Sequence, residues 1–304
     1  MASRSFRFGL QVFSGESRSA WRDLARRAED AGFSTILVPD HVVDGLFSPL
    51  VALDTMASAT SQLRVGTFVL NNDFRHPALV ARDAATLDLL TDGRLELGIG
   101  AGHAAPEYAE LGLVFDPAAR RVARLGEAAR ILRELFDGRA VTVDGEHYRL
   151  QNHRLFPQRR PALLVGGNGD RVLGIAAEEA DIVGFTGLGR TRADGQHHDL
   201  EWSDDQIDAK VALVRACAGK RLDDLELNLL VQQITITEDR RAAVEQTAAR
   251  VDGDPEVMLA APYMLVGTVD EIVEQIHEAR DRWGFTYFVT RSLDPTARVI
   301  DAIG

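Results

Sequence analysis

The chain has 304 residues and carries 34 Lys and Arg against 46 Asp and Glu, a formal charge of −12. So acidic a protein has no general attraction for phosphate backbones or anionic lipid, which basic clusters bind, so nucleic-acid and membrane partners are excluded and a small-molecule substrate is expected. With 45% apolar and 26% charged residues the composition is that of a soluble globular protein long enough to bury a large core, not of a disordered one.

The N-terminal residues Met1 to Arg7 lack the apolar run of a signal peptide, and no stretch reaches the ~18 apolar residues of a membrane span, so a cytoplasmic location is expected. The one cysteine, Cys217, lies in a helical apolar pattern and reads as a buried thiol in a reducing compartment.

Along the chain, β-type runs are predicted at residues 6–12, 35–38, 63–70, 94–99, 162–165, 181–185, 225–236 and 286–290. Helical spacing falls between them. In residues 19–31, Trp21, Leu24, Ala25 and Ala28 share a face and Gly32 is placed to end the helix. Further helices are predicted at 77–90, 117–136, 203–218 and 268–283, with Asp116-Pro117 as a cap and first-turn pair and with capping boxes at Ser203/Gln206 and Thr268/Glu271.

Eight strand–helix units with short Val, Ile and Leu-rich strands favour a closed (β/α)8 TIM barrel over a doubly wound open sheet. No Pro- or Ser-rich linker divides the chain, so residues 1–304 are read as one barrel domain with insertions near 102–116, 139–161 and 187–202, expected at the C-terminal face. The second insertion reads as a hairpin with a type I′ turn at Asp144-Gly145, and the third, with Gly195 and the polar run 196–201, as a mobile flap.

Barrel active sites lie at the C-terminal strand ends, which here are polar and Gly-rich. They carry Gln11, Asp40 and His41, Asn71 and Asn72, Gly100, Gly102 and His103, Gly166, Gly167 and Asn168, Thr186, Gln232 and Gln233, and Arg291. The strand running through Val165, Gly166, Gly167 and Asn168 into a helix near Asp170 suits an anion, because glycines let the backbone approach and the helix N-terminus offers free N–H groups. The pattern from Gly98 to Gly102 lacks the third glycine and the distant acid of a dinucleotide fingerprint. His41 and His103 are the candidate catalytic groups, whereas His197 and His198 with Asp199 read as a solvated loop, and no metal site is expected.

Taken in order, Pro39-Asp40-His41, Gly66 to Leu70 leading to Phe74-Arg75-His76-Pro77, Gly93 to Gly102, the Val165 to Asn168 turn, and Met264 to Val273 resemble the luciferase-like monooxygenase superfamily over nearly the whole chain. The resemblance is closest to the branch that uses coenzyme F420. It implies a deazaflavin, or alternatively FMN, across the barrel mouth with its phosphate near Gly166 and Gly167. Asp40, His41 and Asn71 match positions near the cofactor ring, and a non-proline cis peptide is implied at Phe68-Val69. Gly100, Gly102, Val165, Asn168 and Thr186 complete the expected cofactor-binding set. A homodimer is implied as well.

The expected activity is hydride transfer between coenzyme F420 and a small organic substrate, with His41 or His103 moving the proton. Gln11, Arg190 and Arg291 are expected to face the substrate or an anionic tail. The alternatives are an FMN-dependent monooxygenase using oxygen and a non-catalytic flavin-binding relative.

Overall fold

Eight short strands pair only with their neighbours, all in parallel, and the last returns to the first. They are β1 (Arg7–Gln11), β2 (Thr35–Val38), β3 (Arg64–Thr67, resumed at Leu70–Asn71), β4 (Leu95–Gly100), β5 (Ala162–Gly167), β6 (Ile182–Phe185), β7 (Glu226–Leu230) and β8 (Phe285–Thr290). The ring closes where Phe8 meets Phe288 and where Val65 meets Leu95, so this sheet has no free edge. The structure, a computed structural model, describes residues 4–13, 15–42, 46–192 and 198–304. The (β/α)8 barrel is therefore the fold, and none of its helices is long and apolar enough to cross a membrane among the described residues.

Successive strand residues face opposite sides, and the two faces bury separate cores. The outer core packs strands against helices through residues such as Ala25, Ile36, Ala81, Leu132, Val183 and Ile276. The inner core lies within the ring and comprises Leu37, Phe68, Leu164, Ile182, Leu230, Tyr287 and Val289. The Phe68-Val69 peptide is cis, as the resemblance implies. The Phe68 ring is seated in space vacated by glycine, for a Cβ on Gly184 would stand 2.9 Å from its Cε2 atom.

Below the inner core lies a polar floor. Glu96 on β4 accepts from Arg7 Nη1 at 2.6 Å, Arg64 Nε at 2.8 Å and the Tyr287 hydroxyl at 3.2 Å. Arg7 also grips Glu226 through Nε and Nη2, at 2.8 and 2.6 Å. Carboxylate neighbours hold the Arg7 proton above its ordinary affinity despite the burial that opposes this.

Both capping boxes form, at Ser203/Gln206 and Thr268/Glu271. Other expectations are corrected. The seventh run is not one strand: β7 stops at Leu230, and Gln233–Ile236 pairs instead with Met264–Gly267 in a separate two-stranded sheet. Pro117 itself caps the helix Ala118–Phe136, without a side-chain bond from Asp116. The hairpin in 139–161 forms, but Asp144 pairs with Arg149 and leaves a four-residue connection, not a two-residue type I′ turn. It enters between a helix and β5. The third insertion forms a hairpin of Leu188–Thr191 with His198–Leu200, while Gly195, Gln196 and His197 lie outside the described residues. Helices at Pro49–Ala57, Ala105–Glu110, Arg240–Val251, Pro255–Ala260 and Leu293–Ile303 were not among those the periodicity predicted.

Removing one partner from a buried ionic cluster leaves the others desolvated and unpaired. Glu96→Ala is thus expected to lower stability by about 3–5 kcal/mol, measured as a shift in the urea unfolding midpoint; a loss within ~0.5 kcal/mol would show that the floor is not structural.

Candidate active site

All eight strands send residues to one cavity of about 810 Å³ at their C-terminal ends. Gln11, Asp40, His41, Phe68, Val69, Asn71, Gly100, Gly102, His103, Gly166, Gly167, Asn168, Thr186, Arg190 and Arg291 all line it. Val165 does not: it is fully buried behind the lining, because its side chain faces the helices. Of the three insertions, 102–116 and 187–202 contribute walls, whereas 139–161 contributes none, which corrects its expected place over the mouth.

The floor is held by side-chain amides. Gln11 donates through Nε2 to the Phe68 carbonyl at 2.7 Å and accepts from Arg291 Nε at 2.9 Å. Arg291 Nη1 donates to Gln232 Oε1 at 3.2 Å, and Gln232 Nε2 donates to the Thr186 carbonyl at 2.9 Å. One chain of bonds thus spans the ends of β1, β3, β6, β7 and β8, and it holds the Arg291 guanidinium at the cavity.

Asp40 is buried and committed. It accepts from the Asn71 backbone N–H at 3.0 Å and forms a two-pronged ion pair with Arg75, so it fixes the end of β3 rather than offering a free carboxylate. Asn71 likewise caps the next turn, accepting from Asp73 N at 3.0 Å and from the Tyr108 hydroxyl at 3.1 Å. Gly102 has φ +73°, and a Cβ there would meet the Tyr108 hydroxyl at 2.1 Å, so no other residue fits this turn.

Glu107 was not singled out in the sequence. It sits on the short helix Ala105–Glu110, is buried, and binds His41 Nδ1 at 2.6 Å. The His41 ring stands edge-on to His103 with centroids 5.4 Å apart, and His103 Nδ1 lies 3.1 Å from His198 Nε2 on the mouth hairpin. His198, read from sequence as solvated, therefore belongs to the site. No local pattern marks Glu107 or His198, because each is brought in by tertiary packing of an insertion.

Burial, reinforced by His41, His198 and Arg121, pushes His103 down to about 4. It is neutral near pH 7. Burial also lowers the proton affinity of Arg121 and Arg291. Among the described residues Arg121, Arg190 and Arg291 have no carboxylate within ion-pair distance, since neighbouring acids are taken: Asp116 by Arg120 and Arg124, Asp199 by Arg192. Three spare cations thus face a cavity in an acidic protein.

At the other wall the helix Asp170–Glu179 begins at Gly169 with no side-chain cap. The turn is open at Gly169, for nothing lies within 4 Å of a Cβ built there. Asn168 donates to Glu201 at 2.7 Å, yet its buried Oδ1 has no partner among the described residues. Lys210, another residue not foreseen, buttresses this turn by donating to the Asn168 carbonyl at 2.6 Å. The turn accordingly fits the phosphate of a bound cofactor.

His103 binds fewer protons when folded than its ordinary value of 6.5 would give when unfolded, so it costs stability as pH falls from about 6.5 to about 4. Urea unfolding across this window is expected to show wild type losing stability relative to His103→Gln; parallel pH dependences would contradict the assignment.

A family model described as luciferase-like monooxygenase matches residues 5–287. The F420-dependent glucose-6-phosphate dehydrogenase of Nakamurella multipartita is 29% identical over 299 residues, 93% of this chain and 84% of its own length. The 5,10-methylenetetrahydromethanopterin reductase of Archaeoglobus fulgidus is 27% identical over 288 residues, 91% of this chain and 80% of its own. The solved structure of an F420-dependent secondary alcohol dehydrogenase, in complex with an F420-acetone adduct, matches the fold with a TM-score of 0.77 at 19% identity, covering 99% of this chain and 100% of that one. An eight-stranded barrel whose mouth holds the Pro39 to His41 segment and a Gly-Gly turn at the fifth strand, matched by that model over almost all its length, belongs to the luciferase-like monooxygenase family.

Proposed function

We propose that the protein is an F420-dependent oxidoreductase that oxidises a hydroxyl-bearing, anionic small molecule of the sugar-phosphate class. The observation that carries this reading is the juxtaposition, in one cavity, of a neutral imidazole at His103 and three arginines, Arg121, Arg190 and Arg291, without carboxylate partners among the described residues. A proton acceptor and an anion clamp are what oxidation of a phosphorylated alcohol requires. Kinship with F420-dependent dehydrogenases along most of the chain supports the cofactor.

Gly167, Asn168 and Gly169, with the first turn of the helix behind them, would hold the cofactor phosphate. Phe68, Val69, Gly100 and Ala101 present a flat, mostly apolar wall suited to an aromatic ring system. When bound, the deazaflavin supplies a hydride acceptor at its C5. Arg291, braced by Gln11 and Gln232, would clamp the substrate anion together with Arg121 or Arg190. His103 takes the hydroxyl proton, and His41, fixed by Glu107, orients the same hydroxyl. Phe13 and Phe115 line the cavity and help to exclude water. A homodimer is part of this reading, supported by the exposed Val51, Leu79, Leu89 and Leu90 on neighbouring helices.

Titration of the purified protein with coenzyme F420 and with FMN, followed by absorbance and fluorescence, is expected to show micromolar binding of F420 only. Addition of glucose 6-phosphate should then bleach the deazaflavin absorbance. Binding of FMN alone would favour an oxygen-using monooxygenase, and F420 binding without turnover on a panel of phosphorylated and neutral alcohols would favour a non-catalytic relative. Arg291→Met should raise KM for a phosphorylated substrate about 10- to 100-fold, the scale of one hydrogen bond to a charged group, while F420 affinity holds. An unchanged KM would remove Arg291 from the anion clamp.

A further inference from the structure

The mouth hairpin carries His198 to a place where it can only be understood together with His103. Its Nδ1 lies 3.2 Å from the Gly189 carbonyl on the opposite strand of the same hairpin, with the Thr191 hydroxyl further off at 3.5 Å. A carbonyl oxygen accepts and never donates, so in the neutral ring Nδ1 carries the proton and Nε2 is bare. That bare Nε2 faces His103 Nδ1 at 3.1 Å, a contact that needs a donor, and so the His103 proton sits on Nδ1. The consequence is that His103 Nε2 holds a free lone pair, with no partner among the described residues.

We propose that His198 is a positioning residue that fixes the tautomer of His103, making its Nε2 the base, and that it receives the proton His103 displaces. This rests on the reading of His103 as the group that takes the substrate proton. In the step, the substrate O–H bond breaks and its proton bonds to His103 Nε2, the electron pair staying on the substrate oxygen. The proton on His103 Nδ1 passes to His198 Nε2, so His103 ends neutral in its other tautomer and His198 ends as the imidazolium. The Gly189 carbonyl, already accepting from Nδ1–H, stabilises that cation. The relay removes a difficulty, since a buried His103 crowded by His41 and Arg121 is a poor place to leave a positive charge. His198 stands on the hairpin at the rim, where Asp199 is next to it and Arg190 and Arg192 are the other charged groups among the described residues of the hairpin; His41 with Glu107 flanks His103 on the far side.

The test is long-range proton–nitrogen NMR of protein labelled with nitrogen-15 in its histidine rings, recorded without ligand at mildly alkaline pH, with His103 assigned from His103→Gln. Wild type should show His103 with a proton-bearing Nδ1 and a bare Nε2. In His198→Phe the ring should revert toward the Nε2–H form that free imidazole side chains prefer, and kcat on glucose 6-phosphate should fall about 100-fold with KM and F420 affinity retained. His198→Gln puts an amide oxygen where Nε2 stood, so it keeps an acceptor for His103 Nδ1–H but cannot take a proton, and it should preserve the wild-type tautomer while kcat stays low. A wild-type His103 protonated on Nε2, a tautomer indifferent to His198→Phe, or full kcat in His198→Gln would each overturn the proposal. The NMR readout needs neither cofactor nor turnover, so a failed F420 titration would sink the functional reading and leave the tautomer assignment standing or falling separately.

Discussion

A single buried carboxylate organises the barrel. Glu96, 2% exposed, receives Arg7, Arg64 and the Tyr287 hydroxyl, and through Arg7 it is linked to Glu226, so β1, β3, β4, β7 and β8 meet at one charge. An ionic cluster so deep is poor insurance for stability as such, since its desolvation cost rivals its attraction. What it supplies is register. Side chains along a strand alternate between faces, and a slip by one residue would turn every inward group outward. Because Arg7, Gly9 and Gln11 share a face, as do Glu96, Gly98 and Gly100, and Tyr287, Val289 and Arg291, the floor decides which residues appear at the mouth.

The layers between floor and mouth follow the same logic. Phe68 occupies inward space that Gly166 and Gly184 leave vacant, so a bulky residue at the cis peptide is compensated from the facing strands. Its carbonyl in turn receives Gln11, which orients Arg291. The Arg291 side chain is accessible from the cavity yet crowded by protein, and that combination lets burial weaken its hydration without denying it a ligand. Asp40 and Arg75 are spent on each other and on holding the third strand end in place.

Much of the scaffold was legible because local physics specifies it. The two capping boxes, Gly32 behind the first helix, and the valine- and isoleucine-rich strands are each written within a few residues and need no distant partner. The break after Leu230 was not legible, since residues 231–236 keep a strand-like pattern and only the partner Met264–Gly267 diverts them out of the ring. Val165 shows the same limit in the site: its neighbours face the cavity, but the period of two sends its side chain to the helices. Short helices such as Ala105–Glu110 carry too few turns for periodicity to mark them, and Glu107 was missed with its helix.

By itself the sequence determined the alternation of strands and helices, the glycine turn at residues 166–169, and the polar strand ends that lie at the mouth, because spacing, capping and backbone freedom are properties of neighbours in the chain. Only the tertiary structure decided which of those polar groups are free and which are consumed. Asp40 is tied to Arg75, His41 to Glu107, and His103 to His198. Each pair joins residues from 35 to 95 positions apart. No local rule encodes the distance between groups so separated, and it is that distance that commits each of them to its partner.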